Sequence, residues 1–383
     1  MAFSSFSEGN YHVLVFDSLD QELTMLWEEN APSTLTVSYL KLIQESNPVD
    51  LKFRYVFIKK NIDGENKVVG LLYFQDLKSS PKNISFRNNK LLSALTSLLL
   101  FVRPFRMSIC GNLFAVNFPS IWFNANYIGK EQVLDIVIKV DANKKSDILI
   151  IKDLDSSFDA SVTAQYKLEP YPFDLTMALN INKTWATFDS YVKALSKKYR
   201  KRAEKIIKSG EKIIRKNLEA SDILSSSKRI LQLFNNVANK QSVRMGLVGQ
   251  NYFFEYKKRF PDLFTFQGYY YKDSLIGFAT YIDHGSTLEM HYIGIDYSLN
   301  TELSIYFNLL FDGVRMSIEN KKDVLELGRT AREAKANLGA IPVYFNDYIA
   351  VKNKFIKSLV NRFGNNFQRE MGEGWKERHP FIK

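Results

Sequence analysis

Apolar and polar positions along the chain change period several times, and each change marks an element. YHVLVF (11–16) is a short apolar run of strand type. Helical spacing follows at about 20–28 and 34–46. LKFRYVFIKK (51–60) and KVVGLLYFQDL (67–77) read as strands around the turn-like stretch NIDGEN (61–66). A helix over 89–103 is followed by a strand in FRMSICGNLF (105–114), a helix over 129–145 and a strong strand, DILIIKDL (147–154). The polar, proline-containing stretch DSSFDASVTAQYKLEPYP (155–172) then interrupts the pattern.

A second round begins with the strand DLTMALNI (174–181) and a helix over 184–209. Another helix lies near 221–240, and TFQGYYYKDSLIGFATYIDHG (265–285) reads as a hairpin turning at Lys272–Asp273. STLEMHYIGID (286–296) is a strand, TELSIYFNLLFDGVRMSIEN (301–320) a helix and VLELG (324–328) a strand. Both halves run helices, antiparallel strand pair, strand, helix, strand. The fold class is therefore α+β, with an N-terminal domain at 1–160 and a C-terminal domain at 161–383.

Composition narrows the function classes. With 45% hydrophobic and 14% aromatic residues in 383, the chain is globular. The single cysteine, Cys110, excludes an intramolecular disulfide and a Cys-based zinc cluster. His12, His284, His291 and His379 show no metal-ligand spacing, so no metal is expected. The N-terminus has no signal-peptide pattern, which with the cysteine count points to the cytoplasm. LLSALTSLLLFV (91–102) is about half the roughly 20 residues of a membrane span. It suits a core helix, or a helix that touches a membrane surface or an acyl chain at the inner membrane face.

The charge of +11 is concentrated in one place. Residues 193–216 hold 11 Lys or Arg against two Glu. Trp185, Phe188, Val192, Leu195, Tyr199, Ile206 and Ile207 form one apolar face of the same helix. Lys197, Lys198, Arg200, Lys201 and Arg202 lie within its basic stretch, which is either a solvated face or a docking surface for a polyanion. An acidic carrier protein, a coenzyme phosphate tail, transfer RNA and an anionic membrane are all compatible with it.

LELGRTAREAKANLGAIP (325–342) is the most structured motif. Thr330 and Glu333 have capping-box spacing, which predicts a helix over 331–338. Gly339 ends it and Pro342 prevents its continuation. The helix entrance at Arg329 is either an anion site or a connector with an Arg329–Glu333 ion pair.

Together with the basic helix and the pair GYYYKDSLIGFATYI and LEMHYIGID, this motif resembles the Fem-related, BioF-like acetyltransferase families, including the peptidogalycan biosynthesis group. These belong to the GNAT superfamily. The resemblance spans roughly 175–345 and extends more weakly to ICGNLF (109–114). It implies two tandem GNAT-like domains with mixed central sheets flanked by helices. It also implies an acyltransferase that moves an acyl or aminoacyl group to a small amine acceptor. The co-substrate would be an acyl-CoA or an acyl-carrier-protein thioester, with aminoacyl transfer RNA less favoured because no long helical-hairpin insertion is present. YSLNTELSI (297–305) has no glycine where simple GNAT enzymes place their pyrophosphate loop.

Amine acylation needs a base, oxyanion donors and an aligned thioester. Glu289 and His291 are two apart on one strand face, with Tyr292 expected on the other, and Glu326 is a second base candidate. Tyr292, Tyr306, Asn308, Gly328, Arg329 and Lys335 are the substrate-binding candidates. Cys110 has no histidine in a recognisable relationship and is not expected to be a nucleophile. Fatty acylation of an amino-lipid or cell-envelope precursor is one version. A Fem-like peptidyltransferase and a non-catalytic double-GNAT adaptor are the alternatives.

Overall fold

A computed structural model of the chain describes residues 4–32, 35–46, 51–80, 101–154, 158, 160–171, 175–241, 247–354, 356–358 and 376–382. Most of the apolar segment at 91–102 lies outside these residues. In chain order the elements begin with β1 (Ser4–Glu8), β2 (Tyr11–Phe16), α1 (Gln21–Glu28), α2 (Val37–Glu45), β3 (Lys52–Ile62) and β4 (Glu65–Lys78). Then come β5 (Arg106–Cys110), β6 (Ile121–Phe123), α3 (Lys130–Ala142), β7 (Ile148–Ile151), α4 (Ala160–Gln165) and β8 (Glu169–Pro170). The second half has β9 (Leu175–Asn180), α5 (Phe188–Ala194), α6 (Lys197–Ser209), β10 (Ile214–Asn217), α7 (Ala220–Ser225), α8 (Ser227–Ala238) and α9 (Tyr252–Arg259). It continues with β11 (Phe264–Tyr271), β12 (Ser274–His284), β13 (Thr287–Ile295), α10 (Tyr297–Leu303), α11 (Ile305–Glu319) and β14 (Val324–Glu326). It closes with α12 (Arg332–Ala336), β15 (Ile341–Tyr344) and β16 (Tyr348–Val351).

The described residues fall into two compact units, one within 1–174, 242–248 and 345–371, the other within 175–241, 249–344 and 372–383. Pattern reading divides the chain once, at 160/161. The first unit instead runs on through β8 and takes back β16, because β16 pairs with β7 and β8. A chain that returns to an earlier sheet leaves no local mark in its sequence.

The first sheet has the order β1-β2-β3-β4-β5-β7-β16-β8, with β6 also on β4. Its neighbours are antiparallel except β5 and β7, whose parallel register sets Cys110 against Ile151. α3 buries Val133, Leu134, Ile136, Val137 and Val140 against it, as its spacing demands. Cys110 is fully buried and burial pushes its thiol well up, against formation of a thiolate. The Asn112 side chain accepts from the amides of Phe114 and Ala115, which makes the turn after β5.

The second sheet has the order β10-β11-β12-β13-β14-β9-β15. The hairpin β11–β12 turns at Lys272 and Asp273, both at positive φ, and Tyr271 pairs with Ser274. β13 and β14 are its parallel step. Each unit thus carries antiparallel strands leading to one parallel pair, the repeat expected from the pattern. Three helices predicted from periodicity are interrupted, that near 221–240 at Ser226. The basic helix breaks at Leu195, which bridges to Phe381, and the 301–320 helix breaks at Ser304, at φ +48°. No helix among the described residues is long and apolar enough to cross a membrane.

Candidate functional site

The parallel ladder of the second unit pairs Thr287 with Val324, Leu288 with Leu325 and Glu289 with Glu326. β14 stops there, while β13 continues to Ile295. The side chains of Glu289 and Glu326 lie together on one face of the sheet. Leu288, Met290, Leu325 and Leu327 point to the other face, into a core shared with α5, α6 and α11. Two carboxylates therefore stand side by side where the pairing ends.

A bulge lies just beyond. Ala279 pairs with Ile293 and Tyr281 with Met290, so His291 and Tyr292 together oppose Thr280. The Thr280 hydroxyl accepts from the Tyr292 N–H at 2.9 Å and donates to the Tyr292 carbonyl at 3.1 Å. The bulge breaks the alternation that would set Tyr292 on the opposite face. Its ring instead sits 4.3 Å from the His291 ring, and both contact Tyr252 of α9.

A chain of hydrogen bonds crosses this face. The Tyr252 hydroxyl meets His291 Nε2 at 2.7 Å, His291 Nδ1 meets Glu289 Oε1 at 2.8 Å, and His284 Nε2 meets Glu289 Oε2 at 2.9 Å. Burial pushes the Glu289 carboxyl up, but the hydrogen bonds from His284 and His291 outweigh it and hold it at about 2. The same bond to Glu289 raises His284, against the effect of burial. Burial, then the Glu289 charge, raises the phenols of Tyr256 and Tyr292.

Glu326 behaves oppositely. Burial raises its carboxyl, against bonds from the Gly328 N–H at 2.8 Å and the Thr176 hydroxyl at 2.9 Å, and the Glu289 charge raises it further. Neighbouring carboxyls with separated proton affinities are the usual arrangement for dividing acid and base work. Lys335 is 4% exposed and donates from Nζ to the Gly328 carbonyl at 3.0 Å. Burial lowers its ammonium to about 7, against the attraction of Glu326. Gly328 is thus held by its N–H and its carbonyl at φ +77°, a backbone a side chain would strain. Arg329 is near enough for its charge to oppose the rise of the Tyr292 phenol.

The capping box at Thr330 does not form. Ala331 is the N-cap, in the left-handed region at φ +53°, and α12 spans only Arg332–Ala336. Glu333 pairs with Arg378 rather than Arg329. So short a helix offers no dipole site for an anion, and whatever binds here must use side chains. Gly339 does end the turn, at φ +98°, and Pro342 lies in β15.

The structure brings together Glu289, His291, Tyr292, Glu326, Gly328, Arg329 and Lys335. It separates Tyr306 and Asn308 from them. Tyr306 packs on the core of the opposite sheet face, where burial raises its phenol. Asn308 is buried, with Nδ2 on the carbonyls of Ile206, Leu303 and Ser304 and Oδ1 facing Arg215 at 3.3 Å. It clamps α6 to the α10–α11 junction, on the sheet face opposite the two carboxylates. Asn308→Ala should cost about 1–3 kcal/mol of unfolding free energy, because buried carbonyls lose their donor. Activity per folded molecule should be unchanged, as a denaturation curve run beside a turnover assay would show.

Sequence reading missed Tyr252, His284, Thr176 and Thr280. His284 had a signal: it and Glu289 flank the Gly285–Ser286 turn of a recognisable hairpin. Thr176 and Tyr252 reach the site only through contacts 150 and 39 residues away. On α6, Lys197, Lys198, Lys201 and Arg202 are exposed, while Ala203 and Ile206 are buried. Arg202 lies over the Phe307 ring at 4.7 Å. Arg200 departs from the basic face. Its guanidinium turns back onto the carbonyls of Lys193 at 2.7 Å and Leu195 at 2.9 Å, where it closes the end of α5. Among the described residues, no group of three or more His, Cys, Asp or Glu could hold a metal ion.

The chain is similar in structure to a tandem GNAT protein from the clavulanic acid biosynthesis pathway. Identity is 9%, with 90% of this chain and 99% of that one covered at a TM-score of 0.51. It also matches FemX at 9% identity, 90% and 99% coverage and a TM-score of 0.49. N-myristoyltransferase from Saccharomyces cerevisiae, with bound myristoyl-CoA, matches at 10% identity, 91% and 81% coverage and a TM-score of 0.46. No family model and no curated protein sequence matches the chain. The fold is α+β with two tandem GNAT-like domains, as the resemblance implied.

Proposed function

We propose that the protein is an N-acyltransferase. It moves an acyl group from a thioester, on coenzyme A or an acyl carrier protein, to an amine such as an amino-lipid or cell-envelope precursor. One observation carries this reading: the buried Glu289–Glu326 pair stands side by side at the point where β13 leaves β14, with the two carboxyls shifted in opposite directions. Glu289 stays ionised and serves a base, while Glu326 holds a proton more readily. No strand pairs with β13 beyond Glu289 on the β14 side among the described residues. An extended donor arm added to the ladder there would lie beside the two carboxylates. Arg329 and Lys335 supply positive charge on the same side. Lys197, Lys198, Lys201 and Arg202 are assigned to the anionic part of the donor.

The full chain, supplied with acyl-CoA and acyl-carrier-protein donors and a panel of amines, should form amide and free thiol detectable by mass spectrometry. If no thioester is consumed, the reading fails. Transfer only from aminoacyl transfer RNA, with a steep salt dependence, would replace it with the peptidyltransferase alternative. With an active donor, Lys197→Glu combined with Lys201→Glu should raise KM about tenfold and flatten its salt dependence. Turnover at saturation should stay as in the parent, because neither side chain is near the carboxylates. Unchanged KM would make the stripe a merely solvated face.

A further inference from the structure

The members of the Tyr252–His291–Glu289–His284 chain differ most in access. The side chains of Glu289 and His291 are 6% and 2% exposed, and Tyr252 is fully buried. The side chain of His284 is 52% exposed. A group that takes a proton from an incoming amine has to be within its reach. We propose that His284 is the working base of the site, with Glu289 as its orienting carboxylate, and that His291 and Tyr252 are positioning residues behind Glu289. The assignment of the amine as substrate rests on the acyl-transfer reading; the His284–Glu289 dyad does not.

The geometry follows from the hairpin. His284 pairs with Thr287 and Ile282 with Glu289, so His284 and Glu289 are diagonal neighbours on one sheet face. Glu289 Oε2 lies 2.9 Å from His284 Nε2. A carboxylate there selects the tautomer protonated on Nε2 and leaves the Nδ1 lone pair as the acceptor. Glu289 cannot swing away, since Oε1 is engaged by His291 and His291 by Tyr252. This is the order of an exposed imidazole backed by a buried, oriented carboxylate.

The charges around His284 favour the same role. Glu289 and Asp283 both favour its protonated form. Lys322 moderates Asp283 by contacting both its oxygens at 2.7 Å, and also donates to the Gly285 carbonyl at 2.8 Å. From β14, Glu326 stands beside Glu289, and from α9 the phenols of Tyr252 and Tyr256 pack against His291.

The step balances as follows. The amine arrives as an ammonium ion and gives one proton to His284 Nδ1, which passes it to water. The neutral nitrogen forms a C–N bond to the thioester carbonyl carbon. Collapse of the adduct breaks the C–S bond, and the second nitrogen proton goes to the departing sulfur. The products are amide, thiol and one released proton.

Two measurements on the full chain test this. His284→Gln keeps an N–H for Glu289 but removes the acceptor nitrogen. It should lower kcat by at least about 100-fold with little change in KM, and imidazole added to the buffer should restore part of the rate. The second needs no acyl donor: carbethoxylation of each histidine by diethyl pyrocarbonate, followed by mass spectrometry across pH. His284 should react while His291 stays protected, and Glu289→Gln should move the His284 profile to lower pH. Glu289→Asp, which withdraws the carboxylate, serves the same purpose if the Gln variant does not fold. An unmoved His284 profile overturns the dyad whether or not a donor is known. A moved profile with full turnover in His284→Gln overturns the base role and leaves acyl transfer standing. An intact dyad with no thioester consumed overturns the reaction, and the amine-base role with it.

Discussion

Lys335→Met is expected to yield a protein that is more stable at pH 6 and transfers acyl groups about 100-fold more slowly. Lys335 is buried, and burial lowers its ammonium from the ordinary 10.5 to about 7. The unfolded chain keeps this proton up to about 10.5, whereas the folded chain loses it near 7. Across that window the unfolded state binds more protons, so wild-type stability rises with pH. Below about 7 both states hold the proton, and the folded state carries the full penalty of a buried cation. Methionine fills a similar volume and has no such penalty. Replacing a buried charge with a well-packed apolar side chain is typically neutral or stabilising by about 1–4 kcal/mol. The advantage should therefore be largest at pH 6 and close to nil at pH 10. Activity falls because the cation beside Gly328 and Glu326 is lost. Urea titrations at both pH values decide the matter. A variant less stable at pH 6 would mean that the Gly328 carbonyl bond outweighs the cost of burial.

Removal of Glu289 should have the opposite effect on stability. Its two oxygens hold His284 and His291, and through His291 the Tyr252 hydroxyl. Glu289→Ala leaves the buried His291 without its carboxylate and should cost about 3–5 kcal/mol. A pH signature accompanies the loss. The Glu289 carboxyl lies at about 2 in the folded chain against an ordinary 4.5. A depressed carboxylate contributes stability that is fully present above about 4.5 and lost as pH falls towards 2. Wild type should weaken across that window, and Glu289→Ala should show a shallower decline there. Parallel declines in the two proteins would place the acid-labile interaction elsewhere. Activity should fall in the alanine variant even where it remains folded.

The motifs and the chemistry were legible to different degrees. The hairpin around Lys272–Asp273, the strand carrying Glu289 and His291, the stop at Gly339 and Pro342, and the inert Cys110 all follow from local pattern. So does the pairing of Glu289 with Glu326 as candidate bases, since both sit in short apolar strands of a repeated order. Arg200, Asn308 and Thr330 depart from the roles their local pattern suggests for a common reason. Each has a side chain whose obvious role in sequence is displaced by a backbone need elsewhere. Arg200 and Asn308 are drawn inward to satisfy carbonyls at a helix end and at a helix junction. Thr330 loses its cap because the loop held by Glu326 and Lys335 turns through Ala331 instead.

Periodicity and turn chemistry act within a few residues, and they suffice for element type, the doubled α+β order and the basic stripe of α6. Contacts between distant parts of the chain set the rest: the return of β16 to the first sheet, the bulge that brings Tyr292 round to His291, and the arrival of Tyr252 and Thr176. Those features depend on which strands meet and in what register, and burial then determines how each ionisable group holds its proton. That Glu289 stays charged while Glu326 resists ionisation, and that His284 alone of the four hydrogen-bonded side chains faces water, follows from packing that no single stretch of sequence contains.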